Sequence, residues 1–401
     1  SLGARVTTLW LYPAPGGRFN VNRASQLVNM IKEQTGGLDI YVHLMPNARS
    51  KAKGESDPEL PEEEAGFTLP SDMNAYLASV RELATALKGK VAYYSIGNEI
   101  SGFSWKGTVK DYGTLLAQSA SAIKSVDPNA KVLDSGMAGL TYALTIPNTL
   151  YQAGKTAEAI DFFRRCTQNH VGGLKKFLPI SNESQLKAML ADPRVQKTIQ
   201  LSDARFKEYC PYYDIFQLHD YQGWQTMEEV YDWIHEQMRA NNCVKPIHVW
   251  EIGYGRDRNL PYDVNEHARS VTKILTISSA EGAQTIIYFP LTDKGNYARG
   301  LLTPTNALQP PSIAYQVTVA KLTDATSAEK LNLGDGVWAY KFTKGTQEVY
   351  ALWSNAPRTV SLPVSASIAR VTKINGETVT ADLRNLMVDE SPIFVELEVK
   401  P

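Results

Sequence analysis

Between residues 4 and 291, seven short runs of β-branched and aromatic residues alternate with longer stretches of helical period, a rhythm that few folds accommodate. The runs are ARVTTLWLY (4–12), LDIYVHLMP (38–46), KVAYYSIGN (90–98), KVLDSG (131–136), YDIFQLHDY (213–221), PIHVWEIGY (246–254) and TIIYFPL (285–291). Amphipathic stretches such as NRASQLVNMIKEQTG (22–36) and MNAYLASVRELATALKG (73–89) separate them, several closing on glycine as helix C-termini do. Repeated strand-then-helix units build a parallel sheet, either doubly wound or closed into a barrel. A doubly wound dinucleotide fold carries a glycine fingerprint after an early strand, and none is present. The polar residues that interrupt the apolar runs, His43, Asn98, Glu99, His219, Tyr221 and Glu251, fall at or near the C-terminal ends of the runs. A barrel places its chemistry there. The expected fold is therefore an α/β (β/α)8 TIM barrel whose first strand lies upstream of Ser1.

Residues 137–212 form a long, mostly helical insertion between two strands, placed to roof the site. After PPSIAYQVTVAKLTD (310–324), a closing helix with proline at its start, the texture changes. VWAYKFTKG, QEVYALWS, RTVSLPV, ARVTKINGETV and SPIFVELEV alternate apolar and polar residues, with a hairpin signal at Asn375-Gly376. The expected division is a catalytic barrel over 1–324 and a small, sandwich-like antiparallel β-domain over 325–401. A net charge of -1 and the lack of any apolar run of transmembrane length argue against a nucleic-acid partner and a membrane span. Of the three cysteines one bridge, such as Cys166 to Cys210, would leave a free thiol. The first residues, SLGARVTTLW, carry neither an initiating Met nor a signal region, and the composition suits a secreted or extracytoplasmic enzyme.

Counted from the upstream strand, Glu99 closes strand four and Glu251 strand seven, so the two carboxylates meet across one barrel mouth. Such a pair suits retaining glycoside hydrolysis, in which one carboxylic acid protonates the leaving oxygen and a carboxylate about 5–5.5 Å away attacks the anomeric carbon. Repulsion between two carboxyls that close keeps one protonated while the other stays ionised. Trp105 and Trp224, just after strand ends, are candidates to stack on sugar faces, as are Trp10 and Tyr254. The acidic run GESDPELPEEEAG (54–66) reads as a solvated loop, since it lacks the spacing of an EF-hand calcium site.

GNE at 97–99 and WEIGYG at 250–255, with HDY at 219–221 between them, resemble the retaining glycoside hydrolases of clan A over about residues 4–292. This four-over-seven barrel superfamily includes cellulases, β-xylosidases, mannanases and galactanases. The resemblance implies Glu99 as acid/base, Glu251 as nucleophile and Asn98 as a donor to the sugar 2-hydroxyl. It implies Tyr221 as a donor to the nucleophile, with His219 in the sugar pocket, Arg5 holding Glu251 ionised and His43 closing strand three. Where many members end strand eight with a Trp beneath the sugar, this chain offers Tyr288 or Phe289. The C-terminal pattern is similar to the sandwich of families such as 39, and family 5 enzymes share the barrel motifs. The implied activity is cleavage of β-glycosidic bonds in a poly- or oligosaccharide, without metal or cofactor. A carbohydrate-binding barrel without turnover is the alternative. A metal-dependent hydrolase using His43, His219 and His248 is weaker, because no HxH or HExxH spacing occurs and alternation sets His248 and Glu251 on opposite faces.

Overall fold

The computed structural model describes residues 2–47, 66–170, 172–257, 259–293 and 298–398. The acidic run at 54–65 lies outside the described residues. The chain opens with β1 (Val6–Leu11), α1 (Val21–Thr35), β2 (Asp39–Leu44), α2 (Met73–Leu87), β3 (Tyr93–Ile96), α3 (Val109–Lys124) and β4 (Lys131–Leu133). Four helices follow without an intervening strand: α4 (Tyr142–Gln152), α5 (Thr156–Thr167), α6 (Glu183–Leu190) and α7 (Pro193–Lys207). Next come β5 (Phe216–Asp220), α8 (Met227–Ala240), β6 (Ile247–Ile252), β7 (Tyr254–Gly255), α9 (Val264–Ala280), β8 (Ala283–Tyr288), β9 (Ala298–Arg299) and α10 (Pro310–Leu322). Local chemistry fixes the helix ends. Asn20 accepts from the Arg23 amide at the start of α1, and Gly36 ends that helix at φ 71°. Thr108 and Asp111 cap α3 reciprocally, and Asp192 caps α7 ahead of Pro193.

Strands β1, β2, β3 and β4 pair in parallel in that order, as do β5, β6 and β8. One parallel bridge, Leu133 to Ile215, joins the two groups, so the seven runs of the sequence become seven strands of one parallel array. The array curls until its ends approach. Tyr41 on β2 bonds through its hydroxyl to Thr285 on β8 at 2.9 Å, and the rings of Trp10 and Phe289 stack 6.4 Å apart. Tyr41, Tyr93, Leu133, Ile215, His248 and Trp250 fill the inside. Among the described residues no ladder joins β1 to β8, and a cleft of about 1150 Å³ lies between them, lined by residues that include Val6, Thr8, Ile286 and Leu322.

The insertion lies mainly beside the array, with α7 against α3 and α4 against α8. Two parts of it reach the loops at the C-terminal ends of the strands: Thr198 of α7 accepts from the Gly102 amide at 2.9 Å, and in the turn after α5 Asn169 accepts from Arg256 while His170 Nδ1 lies 2.7 Å from Asp257. A disulfide joins Cys210 to Cys243, not to Cys166, which stays reduced on the buried face of α5. Cys210 and Cys243 stand just before two neighbouring strands, β5 and β6, and this proximity decides the pairing.

The remainder is antiparallel: β10 (Ser327–Lys330), β11 (Val337–Lys344), β12 (Gln347–Ser354), β13 (Arg358–Val360), β14 (Ile368–Lys373), β15 (Thr378–Asp382), β16 (Leu386–Val388) and β17 (Ile393–Glu398). Six strands form one sheet in the order β10-β11-β12-β17-β14-β15, and β13 pairs with β16. Asn375-Gly376 makes the β14–β15 turn, with Gly376 at φ 85°. The sheet joins the helical layer through Trp338 and Trp353, which pack edge-on against Trp224 at 5.0 and 6.1 Å. Lys273 of α9 lies 4.2 Å above the Trp224 ring, and Lys321 pairs with Glu396 at 2.6 Å. Tyr340, Phe342, Trp353 and Phe394 belong to the same apolar cluster as Val42, Leu116 and Phe216, so both parts of the chain share one core. No described helix is long and apolar enough to cross a membrane.

Candidate active site

After β3 the chain leaves the sheet through Gly97 at φ 82° and Glu99 at φ 49°. A glutamate in the left-handed region is strained by about 1 kcal/mol or more, and surrounding bonds must hold it there. The Glu99 amide donates to the Ser135 carbonyl at 3.0 Å, and the Glu99 carbonyl accepts from Ser104 Oγ at 2.7 Å.

Glu251 is aimed by a different device. Leu218 pairs with Val249 but His219 pairs with Glu251, so Trp250 is an extra residue that bulges β6. Trp250 packs its ring against Tyr41 and His43 on the inner side, and the bulge returns Glu251 to that side as well. Strict alternation, which would set Glu251 opposite His248, therefore fails at this point.

One oxygen of Glu99, one of Glu251 and a ring nitrogen of His219 lie within 4.8 Å of one another. Tyr221 donates its hydroxyl to Glu251 Oε2 at 2.8 Å, while Oε1 is buried without a hydrogen-bond partner. His219 Nδ1 lies 3.2 Å from Glu99 Oε1, and the imidazole is fully buried. Burial pushes the Glu251 carboxyl up to about 7; the charge of Glu99 adds to this, while His219 and the Tyr221 bond oppose it. For His219 burial disfavours the cation, yet the charges of Glu251 and Glu99 and the bond to Glu99 outweigh it and raise its pKa. Burial, reinforced by nearby His219, holds His43 well below the usual histidine range, and a Gly97 backbone contact is the one opposing influence. Asn98 is half-buried beside Glu99 with its Oδ1 unbonded. Glu99, His219 and Glu251 are also the one group among the described residues spaced to hold a metal ion, and one imidazole with two carboxylates suits a divalent transition metal.

Four of the sequence candidates stand elsewhere. Arg5 precedes β1, at the end of the array opposite the glutamates, and pairs at 3.0 Å with Asp324 on the surface. Trp105 is buried, donating Nε1 to the Thr108 carbonyl at 2.8 Å, so its ring is structural. Trp224 is covered by the β-domain tryptophans and Lys273. Tyr288 turns outward among Leu275, Leu301 and Tyr315, with its hydroxyl 2.7 Å from His267 Nε2. Strand alternation instead turns Phe289 inward, where it stacks on Trp10; these rings are 36% and 37% exposed and form the open aromatic face of the mouth. Gln217, two residues before His219 and so on its face of β5, is a site neighbour that this same alternation could have revealed.

Two facing carboxylates at the C-terminal ends of parallel strands define the site, and the fold around them is known in other proteins. A family 39 glycoside hydrolase from Bacteroides cellulosilyticus WH2 superposes with a TM-score of 0.60, at 16% identity, over 98% of this chain and 74% of that one. A family 30 subfamily 8 xylanase from Clostridium acetobutylicum gives 0.53 at 13% identity over 99% and 90% of the two chains. A glucosidase from Croceicoccus marinus gives 0.53 at 11% identity over 96% and 83%. The chain thus shares its α/β fold with an appended β-domain with glycoside hydrolases. No protein-family model and no curated protein matches the sequence.

Proposed function

We propose that the chain is a retaining glycoside hydrolase acting on β-linked poly- or oligosaccharide, with Glu99 as acid/base and Glu251 as nucleophile. The carrying observation is the approach of the two carboxylates to within 4.8 Å, one braced by Tyr221 and the other facing His219. That spacing leaves no room for a water between carboxylate and sugar, as an inverting enzyme requires, and suits direct attack. Tyr221 occupies Oε2, so Oε1 is the oxygen free to attack the anomeric carbon while Glu99 gives its proton to the departing oxygen. The resulting ester at Glu251 is neutral, which removes a repulsive charge from Glu99. Glu99 then takes a proton from water as that water displaces the ester.

The array is read as a (β/α)8 barrel over 1–324, with 325–401 as the β-domain; the approach of β2 to β8 through Tyr41 and Thr285 supports this. β3 and β6 then correspond to strands four and seven of the superfamily's barrel. The Cys210–Cys243 bridge supports an extracytoplasmic location. Xylanase and glucosidase among the fold relatives make xylosides and glucosides the first substrates to try.

Intact-protein mass spectrometry after incubation with 2-deoxy-2-fluoro glycosides carrying activated leaving groups tests the assignment. A one-to-one adduct at Glu251 in the wild type, absent in Glu251→Gln, is expected. Near wild-type turnover by Glu251→Gln on a glycoside the enzyme cleaves would overturn it. Binding of oligosaccharides without adduct or turnover would favour the carbohydrate-binding alternative, and loss of activity on chelation a metal-dependent reaction.

A further inference from the structure

The inner layer beneath Glu99 holds charge that the two-glutamate reaction leaves unused. β4 ends at Leu133, one residue short of the level at which it would go on pairing with β5. Asp134 supplies the missing rung with its side chain: Oδ1 accepts from the Gln217 amide at 3.0 Å, and Oδ2 accepts from Arg205 Nε. Arg205, from α7 of the insertion, also donates to the Gln217 carbonyl at 2.6 Å and lies 3.9 Å over the Phe216 ring. Asp134 and Arg205 are almost wholly buried, so the ion pair clamps the Gln217 peptide from both sides in a water-free setting.

The Gln217 side chain continues the connection. Its amide nitrogen lies 2.6 Å from His219 Nε2, and the opposite ring nitrogen faces Glu99. An amide nitrogen only donates, so it bonds to a lone pair on Nε2 and leaves the imidazole hydrogen on Nδ1, directed at Glu99. Gln217 Oε1 is buried without a partner. The charged groups around the ring are Glu99, Glu251 and Asp134, with neutral His43 nearby.

We propose that Gln217, clamped by Arg205 and Asp134, is a positioning residue that keeps the His219 Nδ1–H on Glu99. This deepens the glycosidase reading and rests on it. With Nδ1–H on Oε1, the proton that Glu99 delivers is confined to its other oxygen, and the carboxylate left behind after delivery keeps a donor.

Nitrogen spectra of protein carrying ¹⁵N-histidine read the network without substrate; His219 is one of six histidines and is assigned by its loss in His219→Asn. Neutral His219 in the wild type is expected as the Nδ1–H tautomer alone, and as a mixture in Gln217→Leu. On glycosides with poor leaving groups Gln217→Leu should lose at least about tenfold in kcat/KM, part of the hundredfold or more that a general acid contributes. On activated aryl glycosides, which need no acid, it should lose less than about twofold. An Nε2–H tautomer in the wild type, or equal losses on both substrate types, overturns the proposal. Undiminished turnover in Glu99→Ala would instead sink the glycosidase assignment, a result the tautomer measurement does not depend on.

Discussion

At the scale of single residues, the proposed nucleophile weakens the fold it belongs to. Burial raises the Glu251 carboxyl from the ordinary 4.5 to about 7, so between these values the native state holds more proton than the unfolded chain. Stability contributed there is present at low pH and is lost as pH rises through the window. Glu251→Gln is therefore expected to be more stable than wild type at pH 8 by on the order of 1–3 kcal/mol, with the gain gone by pH 4, as denaturant titrations at the two pH values would measure. Tyr221→Phe acts in the other direction. Losing a hydrogen bond to an ionised acceptor, worth about 1.5–3 kcal/mol, should move the acid limb of kcat/KM upward by about one pH unit. An unmoved limb would mean that Tyr221 does not hold the ionised form. Glu99, Asn98 and Glu251 could be singled out in the sequence because carboxylates and amides at the ends of apolar strands are rare and need a reason. Trp105 and Trp224 could not be sorted from sugar-binding rings, because an indole at a strand end has the same local pattern whether a sugar, a helix or a second domain covers it.

At the scale of elements, strands were legible wherever β-branched and aromatic residues clustered, and all seven runs became parallel strands. The bulge at Trp250 was not, since one extra residue in a strand leaves no mark in composition and reverses the facing of everything after it. Arg5 was legible in principle: it precedes its strand, and strand polarity alone sets it at the end opposite the glutamates. The disulfide ties the entrances of β5 and β6, the strands that present His219, Tyr221 and Glu251. It closes a loop of 33 residues, so Cys210→Ser with Cys243→Ser should lower unfolding free energy by about 3–4 kcal/mol on the chain-entropy account. A loss below about 1 kcal/mol in chemical denaturation would show that the two entrances are held by packing alone.

At the scale of the whole molecule, the β-domain is part of the same core as the array, and Trp224 and Lys273 are covered only because it is there. A chain ending at residue 324 should therefore fail to give a soluble, cooperative fold, whereas the full chain should unfold in one calorimetric transition. Lys273 gives this junction a pH signature. Burial lowers its pKa to about 8 from 10.5, so the unfolded chain holds more proton between these values and stability rises with pH across them. Lys273→Met should flatten that rise in thermal melts taken from pH 8 to 10. The cleft between β1 and β8 has a further consequence, for handling the protein at high concentration. Two parallel strand edges that join no further strand among the described residues face a space wide enough for another segment, an arrangement that can template pairing between neighbouring molecules. Solubility is therefore expected to be limited by that flank, and a short peptide of strand-forming sequence supplied in excess should act as a solubiliser by occupying it first; an unchanged solubility limit would show that the flank does not template association.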